Sequence, residues 1–71
     1  MLRIKSKKAV IRITGDRLTI VPWSKRTWAW NALIGEEIES LPFGSKILKK
    51  EKYRQTGGIV EFLEIEYPVF G

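Results

Sequence analysis

Apolar and polar positions alternate most clearly between residues 9 and 21. Ala9-Val10-Ile11-Arg12-Ile13-Thr14 and Arg17-Leu18-Thr19-Ile20-Val21 each repeat with the two-residue period of a pleated strand, separated by Gly15-Asp16. The pattern predicts two strands joined by a two-residue turn, with Gly15 supplying the positive φ that a type II′ turn needs at its first central position. This loop length sets Ile13 opposite Leu18 and Ile11 opposite Ile20 on one face, and Arg12 opposite Thr19 and Thr14 opposite Arg17 on the other. The first face is expected to be core and the second wet.

A second hairpin is predicted where Thr56-Gly57-Gly58 precedes the run Ile59-Val60-Glu61-Phe62-Leu63-Glu64-Ile65-Glu66-Tyr67, with residues 45–55 as its other limb. Two registers stay open. A Gly57-Gly58 loop pairs Arg54 with Glu61 and Tyr53 with Phe62, whereas a three-residue loop pairs Lys50 with Glu64 and Ile47 with Tyr67. Between the hairpins, Pro22 ends the second strand or places it at an edge, and Trp23-Ser24-Lys25-Arg26 is a polar connection. Residues 27–31 then suit a strand with Arg26, Trp28 and Trp30 on one face. The alternative is a helix capped by Asn31, with Leu33, Ile34, Ile38 and Leu41 as its stripe, so residues 32–41 stand open between a short strand and a short helix. Pro42-Phe43-Gly44 is a turn, and the apolar tail Tyr67-Pro68-Val69-Phe70-Gly71 either packs back on the domain or reaches a neighbouring subunit.

Composition sharpens this picture. The 71 residues allow one core and hence a single domain, 1–71. Ile, Val, Thr and the aromatics total 25 residues against 10 for Ala, Leu and Met, a balance that suits a sheet. The predicted class is all-β: a small antiparallel barrel or roll of about five strands with at most one short helix. Without Cys or His, neither a disulfide nor a Cys/His zinc site can staple the core, so dense aromatic packing or self-association must supplement it. No apolar run is long enough to cross a bilayer and the N-terminal stretch meets charge too early for a signal-peptide core, which points to the cytoplasm.

The same absences bear on chemistry. No His can act as a base near neutral pH and no Cys as a nucleophile. Glu36, Glu37 and Glu39 are spaced as a solvated edge, and the glycines fall into no phosphate-loop or dinucleotide fingerprint. The chain is therefore expected to be non-catalytic, with no cofactor and no metal.

Charge is segregated. The formal net charge is +5, yet residues 1–31 carry +7 and 46–54 carry +4, while 32–45 and 55–71 carry −3 each. Lys46, Lys49, Lys50, Lys52 and Arg54 form a candidate anion-binding stripe that could neutralise phosphates, or a solvated face paired with Glu61, Glu64 and Glu66. Arg3, Lys5, Lys7 and Lys8 suit either a protected edge strand or a phosphate-tracking arm. Trp23, Trp28 and Trp30, interleaved with Lys25 and Arg26, offer stacking rings beside cations or the rings of a core or subunit interface. Trp28 or Trp30 is the expected core or subunit-interface ring, and Trp23, beside Pro22 and Ser24, is expected to be more exposed than the other two.

Ile13-Thr14-Gly15-Asp16-Arg17-Leu18-Thr19-Ile20 resembles the early hairpin of bacterial pleckstrin-homology-like domains. Ile34-Gly35-Glu36-Glu37-Ile38-Glu39-Ser40-Leu41 resembles their following strand and Gly58-Ile59-Val60-Glu61-Phe62 a later one, together about a third of the chain. The resemblance implies a strongly bent antiparallel barrel or roll that binds or oligomerises. No site residue is carried over from it, since the two-residue first turn is too short for the basic headgroup loop of the eukaryotic relatives.

The expected function is a protein-interaction or assembly module that self-associates through the Trp cluster and the apolar tail. The alternative is a small nucleic-acid-binding barrel using the basic stripe and exposed Trp rings, and an anionic membrane surface ranks third among the partners.

Overall fold

Two hairpins, and one long pairing that joins them, make the sheet of this protein; its computed structural model describes residues 4–31 and 33–70. The strands are β1 (Ile4–Thr14), β2 (Arg17–Pro22), β3 (Glu36–Ile38), β4 (Lys46–Gln55) and β5 (Gly58–Phe70). They are ordered β3-β2-β1-β5-β4 with every neighbour antiparallel, in a sheet that does not close. The fold is all-β, as the composition requires. Met1, Leu2, Arg3, Ala32 and Gly71, and the expectations that fall on them, lie outside the described residues.

The first hairpin forms in the predicted register, with Ile11 opposite Ile20, Ile13 opposite Leu18 and Thr14 opposite Arg17. Gly15 takes φ +62 and no non-glycine residue described has a positive φ, which is the division of labour a type II′ turn demands. In the second hairpin both expected registers give way to a third. Gln55 faces Gly58, Tyr53 faces Val60 and Arg54 faces Ile59, so the turn is Thr56-Gly57. A bulge between Ile47 and Lys49 then shifts the rest of the ladder, setting Ile47 opposite Ile65 and Lys46 opposite Glu66.

Both faces of the central strands are covered. On one, Ala9, Ile11, Leu63 and Ile65 are buried, with Ile13, Leu18, Ile20, Ile38, Leu41 and Tyr67 packed around them. On the other lie Val10, Val21, Val60 and Phe62 with Ala29, and Trp23 and Ile34 pack against this cluster. The second face was expected to be wet. It is closed by the connection from β2 to β3, which runs over Trp23–Trp28 as two short 3-10 turns kinked at Lys25 and then leads to Gly35.

This connection corrects one further expectation and decides one left open, since of the short strand and short helix weighed for residues 32–41 the strand forms. Residues 27–31 form no strand, so Arg26, Trp28 and Trp30 do not line one sheet face. Asn31 caps no helix; its Oδ1 accepts the Leu33 N–H at 2.8 Å in a local turn, and the acidic run that follows forms the three-residue strand β3. Gly35 fixes the crossing. At φ +103 its backbone passes so close to β2 that a Cβ would stand 2.6 Å from the Ile20 carbonyl oxygen and 2.7 Å from Thr19 Cγ2.

Arg12 is the buried charge of this face, 6% exposed. One guanidinium nitrogen donates to the Ala29 carbonyl at 2.5 Å and the Asn31 carbonyl at 2.7 Å, and the other to the Ile34 carbonyl at 3.4 Å. The side chain expected in solvent is thus the peg that holds the covering connection in place.

Candidate interaction surfaces

Each candidate cation has a definite place. On β4 the bulge divides the stripe: Lys50, Lys52 and Arg54 share the face of Ile47, whereas Lys46 and Lys49 share the opposite one with Glu64 and Glu66. The register sets acid against base along the hairpin, with Lys46 opposite Glu66, Lys49 opposite Glu64 and Lys52 opposite Glu61. Lys50 Nζ reaches Glu61 at 3.2 Å and Lys49 Nζ reaches Glu51 at 2.6 Å. Arg54 faces Ile59 and has no acid across from it. Five basic residues that align in sequence are therefore split over two faces and mostly compensated by glutamates.

Trp23, expected to be the most exposed of the three rings, is the most buried. Trp23 is half-buried against the core, with the Arg26 guanidinium 4.8 Å and the Lys8 ammonium 5.5 Å from its ring centroid. Arg26 also donates to the Trp23 carbonyl at 3.1 Å. Trp28 is 61% exposed and Trp30 about half. Trp30 nevertheless packs on rings from the neighbouring strands, 4.5 Å from Phe62 and 4.6 Å from Tyr53 between centroids. These rings border a groove of about 150 Å³ whose rim carries Arg26, Lys49, Glu51 and Glu64.

On that rim Lys49, Glu51 and Tyr53 form a chain of contacts, the Tyr53 hydroxyl donating to Glu51. The hydrogen bond and charge of Glu51 raise the Lys49 ammonium above its ordinary pKa, and the bond to Glu51 raises the Tyr53 phenol likewise. Glu51, bonded first to Lys49 and then to Tyr53, is held below the ordinary carboxylate value. No cluster of His, Cys, Asp and Glu among the described residues could hold a metal ion.

Two further surfaces lie where β1 and β5 outrun their neighbours. β2 stops at Pro22 opposite Ala9, and β4 stops at Lys46 opposite Glu66. Residues 4–7 and 67–70 thus continue as a two-stranded ribbon in a molecule of 49 × 20 × 18 Å. Exposed apolar side chains gather at the ribbon and on its β5 side. Ile4 and Phe70 form a cross-strand pair, Val69 follows, Phe43 precedes the Gly44 backbone that lies against Pro68, and Ile47 and Leu48 flank the bulge. The apolar tail is thus ordered as strand while two of its side chains stay exposed. On the β1 side lies a cavity of about 570 Å³ bordered by Lys7, Lys8, Lys25, Tyr67, Leu33 and Glu36. Of these, Lys25 is among the cations expected beside the Trp rings, and Lys7 and Lys8 belong to the N-terminal group that suits an edge strand or a phosphate-tracking arm. The signal available in sequence was the mismatch between an eleven-residue β1 and a six-residue β2, visible only once both ends of the pairing are known.

Comparison with known protein families, curated proteins and solved structures finds no match to this chain.

Proposed function

We propose that the protein is a non-catalytic assembly module that associates with a second copy of itself through the apolar β5 side of the ribbon. The observation that carries this reading is surface left uncovered. The accessible area is 5664 Å², where a folded monomer of 8.2 kDa is expected to expose about 4,500 Å². The Cα radius of gyration of 12.7 Å likewise exceeds the roughly 11 Å expected for this length. The excess, about 1,100 Å², is of the order that one partner contributes to a stable interface. A two-stranded ribbon is marginal on its own in water, so a partner packing on the Ile4–Phe70 pair would stabilise the part of the fold that most lacks support.

Sedimentation equilibrium over a micromolar range tests it. Wild type should show a concentration-dependent dimer and Val69→Asp with Phe70→Asp a monomer of unchanged strand content. A wild-type chain that stays monomeric at high micromolar concentration would overturn the reading.

A further inference from the structure

Where β2 stops, the sheet face that carries Ile11 opens into the cavity of about 570 Å³. The register sets Lys7 beside Tyr67, Ala9 beside Pro22 and Ile20 beside Glu36, all on this one face, and all six residues border the cavity. Leu33 and Lys25, from the connection between β2 and β3, complete the border. Pockets that hold one small organic ligand measure about 300–1,000 Å³. The chemistry on offer is that of side chains, since the non-bonded Ala9–Pro22 pair places the Trp23 N–H on the Lys8 carbonyl and so occupies the β1 backbone edge at this point.

Two kinds of surface meet there. Ala9 is buried, Ile20, Ile34 and Tyr67 are half-buried, and Leu33 stands 92% exposed, more than any other large apolar residue described. The fold imposes that exposure. Asn31 Oδ1 accepts the Leu33 N–H at 2.8 Å, the Ile34 N–H donates to the Asn31 carbonyl at 3.1 Å, and the Arg12 fork ties the Asn31 and Ile34 carbonyls to the sheet. An apolar side chain held in water in this way gains from any ligand that covers it. Lys7, Lys8 and Lys25 are exposed on the border against the single acid Glu36, and no ion pair among the described residues engages any of the three.

We propose that this cavity binds a small amphipathic anion, an alkyl or aromatic body that carries one carboxylate, sulfonate or phosphate group. The body covers Ala9, Ile20 and Leu33, and the head group lies within reach of Lys7 and Lys25. A bare inorganic anion leaves Leu33 in water, and a neutral apolar molecule leaves the lysines without a counter-charge. A ligand with both parts matches both kinds of surface. The site is separate from the proposed self-association, because Ile4 and Phe70 lie on the opposite face of the ribbon, so either reading can fail alone.

The emission of anilinonaphthalene sulfonate, titrated with the full chain and displaced by competitors, tests the site. One-to-one binding is expected, with decanoate displacing the probe at concentrations at least about tenfold below those of decanol or sodium sulfate. Lys7→Glu combined with Lys25→Glu should weaken the probe by about tenfold or more, and Leu33→Asp comparably. Arg17→Glu combined with Arg54→Glu changes the net charge equally at the hairpin-turn end of the sheet and should leave affinity within about twofold. In the unaltered protein, decanoate should shift the amide resonances of Ala9, Ile20 and Leu33 and leave those of Thr14 and Gly58 in place, which locates the site whether or not a variant folds. The proposal falls if the two charge reversals weaken the probe equally or if decanol competes as well as decanoate. It falls too if the shifts gather on Ile4 and Phe70, or if phosphatidylglycerol vesicles displace the probe at lower concentration than decanoate, which would assign the cations to a membrane surface.

Discussion

Arg12 brings a full charge into a sheet face formed by Val10, Val21, Val60 and Phe62. Desolvation of such a group costs several kcal/mol unless hydrogen bonds replace its water. Here the guanidinium fork spreads over the carbonyls of Ala29, Asn31 and Ile34, which at the same time satisfies backbone acceptors of a connection with little regular structure. Burial lowers its pKa, but an arginine stays charged at any physiological pH. Arg12→Met should cost about 2–4 kcal/mol, since it leaves those carbonyls without their donor, and Arg12→Lys less because one ammonium keeps the charge but loses the fork. Urea unfolding at constant m-value measures both, and an Arg12→Met variant within about 0.5 kcal/mol of the parent would remove its role as a peg. The exposed Lys49-Glu51-Tyr53 chain acts through pH instead. Glu51 has a folded-state pKa below its unfolded value, so its contribution is complete above about pH 4.3 and disappears as pH falls through the folded value. Lys49 and Tyr53 are raised, so theirs is complete below about pH 10 and disappears as pH rises through the folded values. Glu51→Gln should therefore bring the Tm of the variant and the parent closest at the two extremes and furthest apart near neutrality; parallel curves would show that the chain contributes nothing.

At the scale of elements, Gly35 decides whether β3 can reach β2. Any side chain there meets the Ile20 carbonyl and Thr19 while holding φ at +103, so Gly35→Ala should destabilise by about 1–3 kcal/mol. Hydrogen exchange should show the loss first in β3 and the 29–34 connection; uniform loss over β1 and β5 would place the strain elsewhere. The two hairpins show what a sequence makes legible. In the first, turn chemistry and alternation agree, because Gly15 permits one turn and Ile11, Ile13, Leu18 and Ile20 permit one register. In the second, lysines occupy both faces of β4, so no apolar pattern penalises a one-residue slip. Glycines at 57 and 58 accept several turns, and the bulge at Leu48 changes the register part-way along. The second face of the first hairpin is not wet, because Val10 and Val21 sit opposite each other on it and that pair needs a cover. The 3-10 connection carries no periodic signal; its path follows from Pro22 ending the ladder and from the Arg12 fork, a contact 17 to 22 residues away in sequence. The cationic cavity was hidden for the same reason, since Lys7, Lys8, Lys25 and Leu33 converge only through tertiary structure.

Across the whole molecule, charge and aromatic surface bear on nucleic acid as a partner. The β4–β5 hairpin holds its bases against its own acids, which leaves little of the field that a phosphate backbone would use. The remaining cations concentrate on the first half of the chain, where Trp23 is already engaged by Lys8 and Arg26. Trp30 is stacked on Tyr53 and Phe62, so Trp28 is the ring with the most open area for a base. A stacking platform needs several open rings along a cationic track, and here the open ring and the compensated stripe lie on separate elements. Titrating intrinsic Trp fluorescence with a single-stranded oligonucleotide should thus give at most a weak response at low salt that is gone at moderate salt. Trp28→Phe should leave the oligomeric state unaltered, because Trp28 belongs to the 3-10 connection and not to the ribbon strands. Strong quenching with a steep salt slope, abolished in Trp28→Phe, would reverse the order of the two readings and make the first half of the chain a phosphate-binding surface.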